Sequence, residues 1–207
     1  MALFSSGFTA FQASIATWID WTGSTTTQIN DLIKVGENTV YKRLRVRQME
    51  TALSSTVASD GTVTVPTDYV QMKHARFDTA PVKTLKRTNP EQIYEYYSDR
   101  SVTENQQYFA RDGSSFIFGP AGSAGDLMKG IYYARPASIA ENSTINSVFS
   151  AHPEVFLFGV LSEAEPFIGS DDRVALWQAK FEHLLQVANN EDKSEGSSGS
   201  RLAPRLG

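Results

Sequence analysis

The side chains with chemical reach are few and scattered. His74, His152 and His183 each lack a second histidine or a carboxylate at ligand spacing. A zinc site needs three or four converging donors, so the histidines read as surface or helix-end residues. Glu163 and Glu165 flank Ala164. Paired carboxylates can do acid–base work, which would make the chain a small hydrolase. Residues two apart on a helix point in different directions, however, and do not share a site. The acids read better as partners for a neighbour's arginine, or as the wet end of a helix. Gly113, Gly119, Gly122 and Gly125 are spread through turns, and no glycine-rich run leads into a Lys-Ser or Lys-Thr pair. There is no Gly-x-Ser-x-Gly elbow. There is no cysteine either, which removes disulfides, thiolate metal sites and cysteine nucleophiles. The pattern offers no enzyme, no metal site and no cofactor.

The one dense cationic cluster is Lys42, Arg43, Arg45 and Arg47. If this stretch is helical, Arg43 and Arg47 share one face and Lys42 and Arg45 another. The cluster can touch nucleic-acid phosphates, making the chain a DNA-binding module. The alternative is a subunit interface in which the arginines meet acids of a neighbour, with Glu37, Glu50 and the acids of 163–172 as candidates. A net charge of -4 argues against bulk-charge binding of nucleic acid and favours the interface.

The elements that must position these groups are helical at both ends of the chain. A Thr9-x-x-Gln12 capping pattern opens a first helix that runs to about Trp21. Thr22–Thr27 is a turn and the next N-cap region. Ile29, Leu32, Ile33, Gly36, Val40 and Leu44 then mark a long second helix, which the spacing carries through Glu50. After Leu53 the period changes. Ser59-Asp60-Gly61 is a turn, Thr62–Val65 alternates, and the run after Pro66 to Phe77 reads as an edge strand. Short strands follow at 82–85, 108–111, 115–119 and 126–135, with Asp112-Gly113 as a hairpin turn and a short helix opened by Asn89-Pro90. A last helix begins at Ser170 or Asp171, buries Trp177, Phe181, Leu184, Leu185 and Ala188, and ends near Asn190. Glu191–Ser200 has the composition of a flexible linker.

The segment from His152 to Pro166 reads as a helix that is apolar almost all round. Such a helix must be covered on every side. A chain with few other helices points to a neighbouring subunit as the cover, which places Phe156 and Leu157, with Glu163 and Glu165, at a subunit interface beside Arg43, Arg45 and Arg47. Beyond the linker, Arg201, Leu202, Pro204, Arg205 and Leu206 have the look of a short peptide that docks in a partner's groove or on a sheet edge. The N-terminus lacks a basic region and a long apolar run, so it does not read as a secretory signal, and no apolar run reaches the ~18 residues of a membrane span.

Leu44–Glu50, Val65-Pro66-Thr67-Asp68-Tyr69 and His152–Trp177, in that order, resemble the head-to-tail adaptor (connector) proteins of tailed bacteriophages in which a helical core carries a β insertion. The resemblance covers about residues 8–190. It implies an α+β fold, with an antiparallel bundle of about four helices at 1–55 and 150–192, a small antiparallel β domain inserted at 56–149, and an extended arm at 193–207. It implies a structural virion protein rather than an enzyme: a ring of about twelve copies at the head–tail junction, assembled in the host cytoplasm. Such a ring sits between the portal protein and a tail nozzle or other tail proteins. It extends the DNA channel and has no membrane partner. The C-terminal arm, with Arg201, Leu202, Pro204, Arg205 and Leu206, would bind the portal.

Overall fold

The computed structural model describes residues 7–20, 23–79, 82–103, 105–169 and 172–197. The chain forms two compact units: Glu50–Arg135 is one, and the segments on either side of it form the other.

Helix α1 (Phe8–Ile19) buries Phe8, Phe11, Ile15 and Ile19. It starts one residue before the expected Thr9 cap. Gly7 occupies the N-cap without a side-chain hydrogen bond, because the apolar stripe at three- and four-residue spacing requires Phe8 inside the helix. Helix α2 (Thr26–Arg43) begins on a full capping box, with Thr25 and Gln28 each satisfying the other's backbone N–H. Its stripe of Ile29, Leu32, Ile33, Gly36 and Val40 is buried as the spacing predicts. It ends at Arg43, not at Glu50. A short 3-10 turn at Arg47–Met49 follows, and then the chain is extended.

The β unit contains β1 (Glu50–Thr56), β2 (Val63–Thr64), β3 (Tyr69–Phe77), β4 (Lys83–Thr84), β5 (Lys86–Arg87), α3 (Pro90–Tyr96), β6 (Tyr108–Asp112), β7 (Ser115–Gly119) and β8 (Leu127–Ala134). The strands make two sheets in the orders β1-β8-β3-β4 and β2-β7-β6-β5. Their inner faces share one core, with Leu53, Phe77 and Met128 from the first sheet and Val63, Phe109, Phe116 and Phe118 from the second. The Phe77 and Phe118 rings meet at 4.9 Å. The second sheet is covered on its other side by α3, through Ile93 against Ala110 and Ile117. The hairpin at Asp112-Gly113 forms as expected. Asp112 pairs with Ser115, and Gly113 takes a φ of +57° that favours glycine.

Three expectations for this unit are corrected. Residues 50–55 are strand, not helix. β3 is interior, paired with β8 on one side and β4 on the other; Pro66 precedes the strand and so does not force it to an edge. The insertion is not wholly antiparallel, since β5 runs parallel to β6.

Buried at the sheet interface, the Tyr132 hydroxyl donates to Asp68 at 3.0 Å. Burial first, and then this bond, push the phenol up to about 12. The folded state therefore holds a proton that the unfolded chain releases near pH 10. This contribution to stability is complete below that pH and is lost as pH rises toward 12. Thermal melts of the wild type should fall across that range, and Tyr132→Phe should fall less steeply.

Chain returning from the β unit forms α4 (Ile139–Asn142), α5 (Ser147–Ala151), α6 (Pro153–Leu161), α7 (Glu165–Ile168) and α8 (Arg173–Ser197). With α1 and α2 they make the helical core, so the fold is α+β, a helical core with an inserted β domain, built from eight helices among the described residues. α6 stops at Leu161, before the expected Pro166, which instead sits in the first turn of α7. α8 runs seven residues beyond Asn190, into the stretch expected to be linker. Glu191, Lys193 and Glu195 are good helix formers, and no proline intervenes.

Candidate functional site

The basic cluster is built by the end of α2. Both terminal nitrogens of Arg43 donate to the carboxylate of Glu182 on α8, and the guanidinium lies over the Phe181 ring, 5.6 Å from its centroid. The Arg43 hydrogen bond holds Glu182 below the usual carboxylate range, and the same bond raises Arg43. Arg45 has left the helix. Its guanidinium folds back to donate to the carbonyls of Tyr41 at 3.2 Å, Lys42 at 3.0 Å and Leu44 at 2.6 Å. Asn189 of α8 closes the same helix end: its amide oxygen accepts from Arg45 N at 2.7 Å and its amide nitrogen donates to the Arg43 carbonyl at 3.3 Å. These bonds satisfy carbonyls that a helix C-terminus leaves open, which is why α2 stops here.

Three corrections follow. Arg43 and Arg47 do not share a helix face, since α2 ends at Arg43 and Arg47 opens the 3-10 turn. The acid that meets Arg43 is Glu182 of its own chain, not a member of the expected set. Arg43 and Arg45 hold α2 to α8 within the chain, so the cluster presents fewer uncommitted cations to a phosphate backbone than its sequence suggests. Lys42 and Arg47 are exposed.

The expected acidic partners are placed elsewhere. Glu50 pairs with Lys73 inside the β unit. Glu37 is 1% exposed and accepts from the Ser138 hydroxyl and from Ile139 N, both at 2.8 Å, tying the start of α4 to α2. Glu163 lies in the turn after α6 and accepts from the Thr39 hydroxyl at 2.9 Å. Glu165 opens α7 and is exposed.

Phe156 is 0% exposed and Leu157 4% within the single chain. Contrary to expectation, α6 needs no neighbouring subunit as its cover, because it packs against α1, α2, α5 and α8 of its own chain. The Phe156 ring meets Tyr41 at 5.5 Å and Phe149 at 5.2 Å. Two glycines allow the close approach. Gly36 on α2 lies against Val160 of α6, and Gly159 on α6 lies between Val40 and Phe181.

Among the described residues there is no cluster of histidine and carboxylate side chains able to hold a metal, and no helix long and apolar enough to cross a membrane. His74 and His183 are exposed on β3 and α8, and His152 is partly buried between α5 and α6. Arg201, Leu202, Pro204, Arg205 and Leu206 lie outside the described residues.

Two features escaped the sequence reading. The first is the burial of Glu37, expected only as an arginine's partner; it had a signal, a carboxylate between Gly36 and Val40 on the buried stripe of α2, where an acid must find donors. A groove of about 390 Å³ lined by Thr88, Gln92, Ile93, Tyr96, Tyr97 and Tyr108 had none, because α3 and β6 meet there only in the fold.

No curated protein matches the chain. A family model described as SU10 adaptor protein matches residues 7–205, a span that takes in the helical core, the β unit and most of the C-terminal segment. The chain belongs to the SU10 adaptor protein family and is a bacteriophage structural adaptor, a virion component that assembles with other virion proteins.

Proposed function

We propose that the protein forms a ring between the portal and the tail, extends the DNA channel and anchors tail components, retaining the genome after packaging and conducting it at ejection. The observation that carries this reading is the family match over residues 7–205. Composition agrees with it. A net charge of -4 suits a channel wall along which DNA must slide without adhering. The length of α8 agrees as well. Ala188 is the last core side chain described on it, and the helix continues to Ser197, about 13 Å further at 1.5 Å per residue. A helix that continues past its last described core side chain can serve as a spacer for a terminal anchor, and repetition around a ring multiplies the effect of a weak anchor.

The anchor is the C-terminal arm, with Arg201, Leu202, Pro204, Arg205 and Leu206 binding the portal. Removal of residues 193–207 touches none of the described core side chains. The truncated protein should therefore melt like the full chain while its capture by purified portal falls at least about tenfold, as expected when one anchor in each repeated contact is lost. Undiminished capture by portal would remove the arm from the account.

A further inference from the structure

We propose that neighbouring copies in the ring meet through the outer faces of α2 and α8, packed antiparallel, with Leu176 of one copy against Val35 of the next and Lys180 beside Asp31. The inference rests on the ring reading above and names the surfaces that close it.

In the helical core α6 packs against both α2 and α8. Each of these helices turns a buried stripe toward α6, with α1 and α4 also flanking α2, and the residues opposite that stripe are largely exposed. On α2 the far side carries Asp31 and Val35, one turn apart, with Val35 40% exposed. On α8 it carries Leu176, Lys180, His183 and Val187 at helical spacing, with Leu176 69% exposed and Val187 37%. Leu176 is a large apolar side chain 69% exposed on a polar helix face, and contact with a neighbour's Val35 would remove that apolar surface from water. The two faces belong to different helices and diverge from one core. Contact between them is thus heterologous, head to tail, the kind that closes into rings.

Charge selects the direction. With Leu176 set against Val35, antiparallel helices bring Lys180 opposite Asp31, since each lies four residues on from its apolar neighbour in the matching sense. Parallel helices would set Asp31 opposite Asp172, a like-charge contact. Asp31 and Lys180 have no ion-pair partner in their own chain among the described residues, so both are available. An apolar contact flanked by one complementary charge pair has the composition of a small interface module, and the charges contribute register and specificity more than affinity.

The test uses the full chain with purified portal, scored by negative-stain imaging and particle mass. All substituted positions are exposed, so folding should be unchanged, and thermal melts check this. Asp31→Lys places like charges at every contact of its ring, and so does Lys180→Glu. Each alone should lower ring yield about tenfold. Mixed in equal amounts the two variants restore opposite charges at every contact of an alternating ring, and yield should return toward wild type. Leu176→Asp should abolish rings without a partner that rescues it. Wild-type yield from both charge variants, or a mixture as poor as either alone, overturns the interface while leaving the ring reading intact. Absence of any ring from wild-type protein and portal overturns the ring reading, and the interface with it.

Discussion

Phe156→Asp should leave no folded helical core. The side chain is 0% exposed and touches the rings of Tyr41 and Phe149, so its removal empties the middle of the helix packing. Loss of a buried phenylalanine costs about 3–5 kcal/mol. The incoming carboxyl must then be buried without a donor or take a proton, at roughly a further 1–3 kcal/mol. The sum reaches the ~5–15 kcal/mol by which most domains are stable at all. Circular dichroism should show no cooperative helical melt, whereas Phe156→Leu, which keeps most of the volume, should melt within a few degrees of wild type. A Phe156→Asp protein that melts like wild type would mean that α6 is not buried in this core. The contrast with Leu176→Asp is informative. The first substitution should destroy the fold, and the second should leave the fold and remove assembly.

Gly36→Val has the next largest effect. A Cβ at Gly36 would stand 2.5 Å from the Val160 Cα, 2.7 Å from its Cγ2 and 2.9 Å from its backbone N. The close contacts include backbone atoms, which a rotamer change cannot relieve. Alanine for glycine in a helix interior gains about 1 kcal/mol of intrinsic propensity, and overpacking costs about 1–3 kcal/mol. Even Gly36→Ala should therefore be destabilised on balance. Valine adds two methyl groups to the same clash and should separate α2 from α6. Gly36→Ala combined with Val160→Ala should recover little, because Cα and N remain in place. Gly159→Ala is the milder case, since its nearest atoms are the side-chain ends of Val40 and Phe181. Urea denaturation should order stability as wild type, Gly159→Ala, Gly36→Ala, Gly36→Val. A Gly36→Ala protein more stable than wild type would show that propensity outweighs packing there.

Local signals in the sequence were sufficient where the physics is local. The N-cap region at Thr22–Thr27, the Asp112-Gly113 hairpin and Pro90 at the start of α3 each depend on neighbours a few residues away, and all formed; the Thr9-x-x-Gln12 capping box did not, because α1 starts earlier, behind Gly7. The stripe of α2 was legible for the same reason, since helical period needs no partner, and so was that of α8 apart from Leu184, which is only partly buried. What failed depended on distant chain. Residues Thr51–Thr56 carry one buried apolar side chain, Leu53, too few to show a strand period. They are extended because β8, far along the chain, pairs with all of β1. The end of α2 is set by Asn189 and by the return of Arg45 onto the helix carbonyls, neither of which a heptad-like pattern reveals. The apolar helix α6 was recognised for what it is, but its cover was misassigned. Three amphipathic helices from both ends of the chain converge on it, and single-helix periodicity does not say where each stripe is directed. The same cause misplaced Arg43, whose acid lies on α8.

This redistribution sharpens the assembly account. Phe156 and Leu157 belong to folding, and Arg43 and Arg45 to the joint between α2 and α8. On the proposals above, the outer faces of those two helices are the surfaces offered to neighbouring copies, and the arm is offered to the portal. Mixing purified protein with purified portal and imaging the product by electron microscopy tests the central claim most directly. The account predicts an added ring of density at one end of the portal, coaxial with its channel. Portal particles that remain unchanged at saturating protein would contradict it.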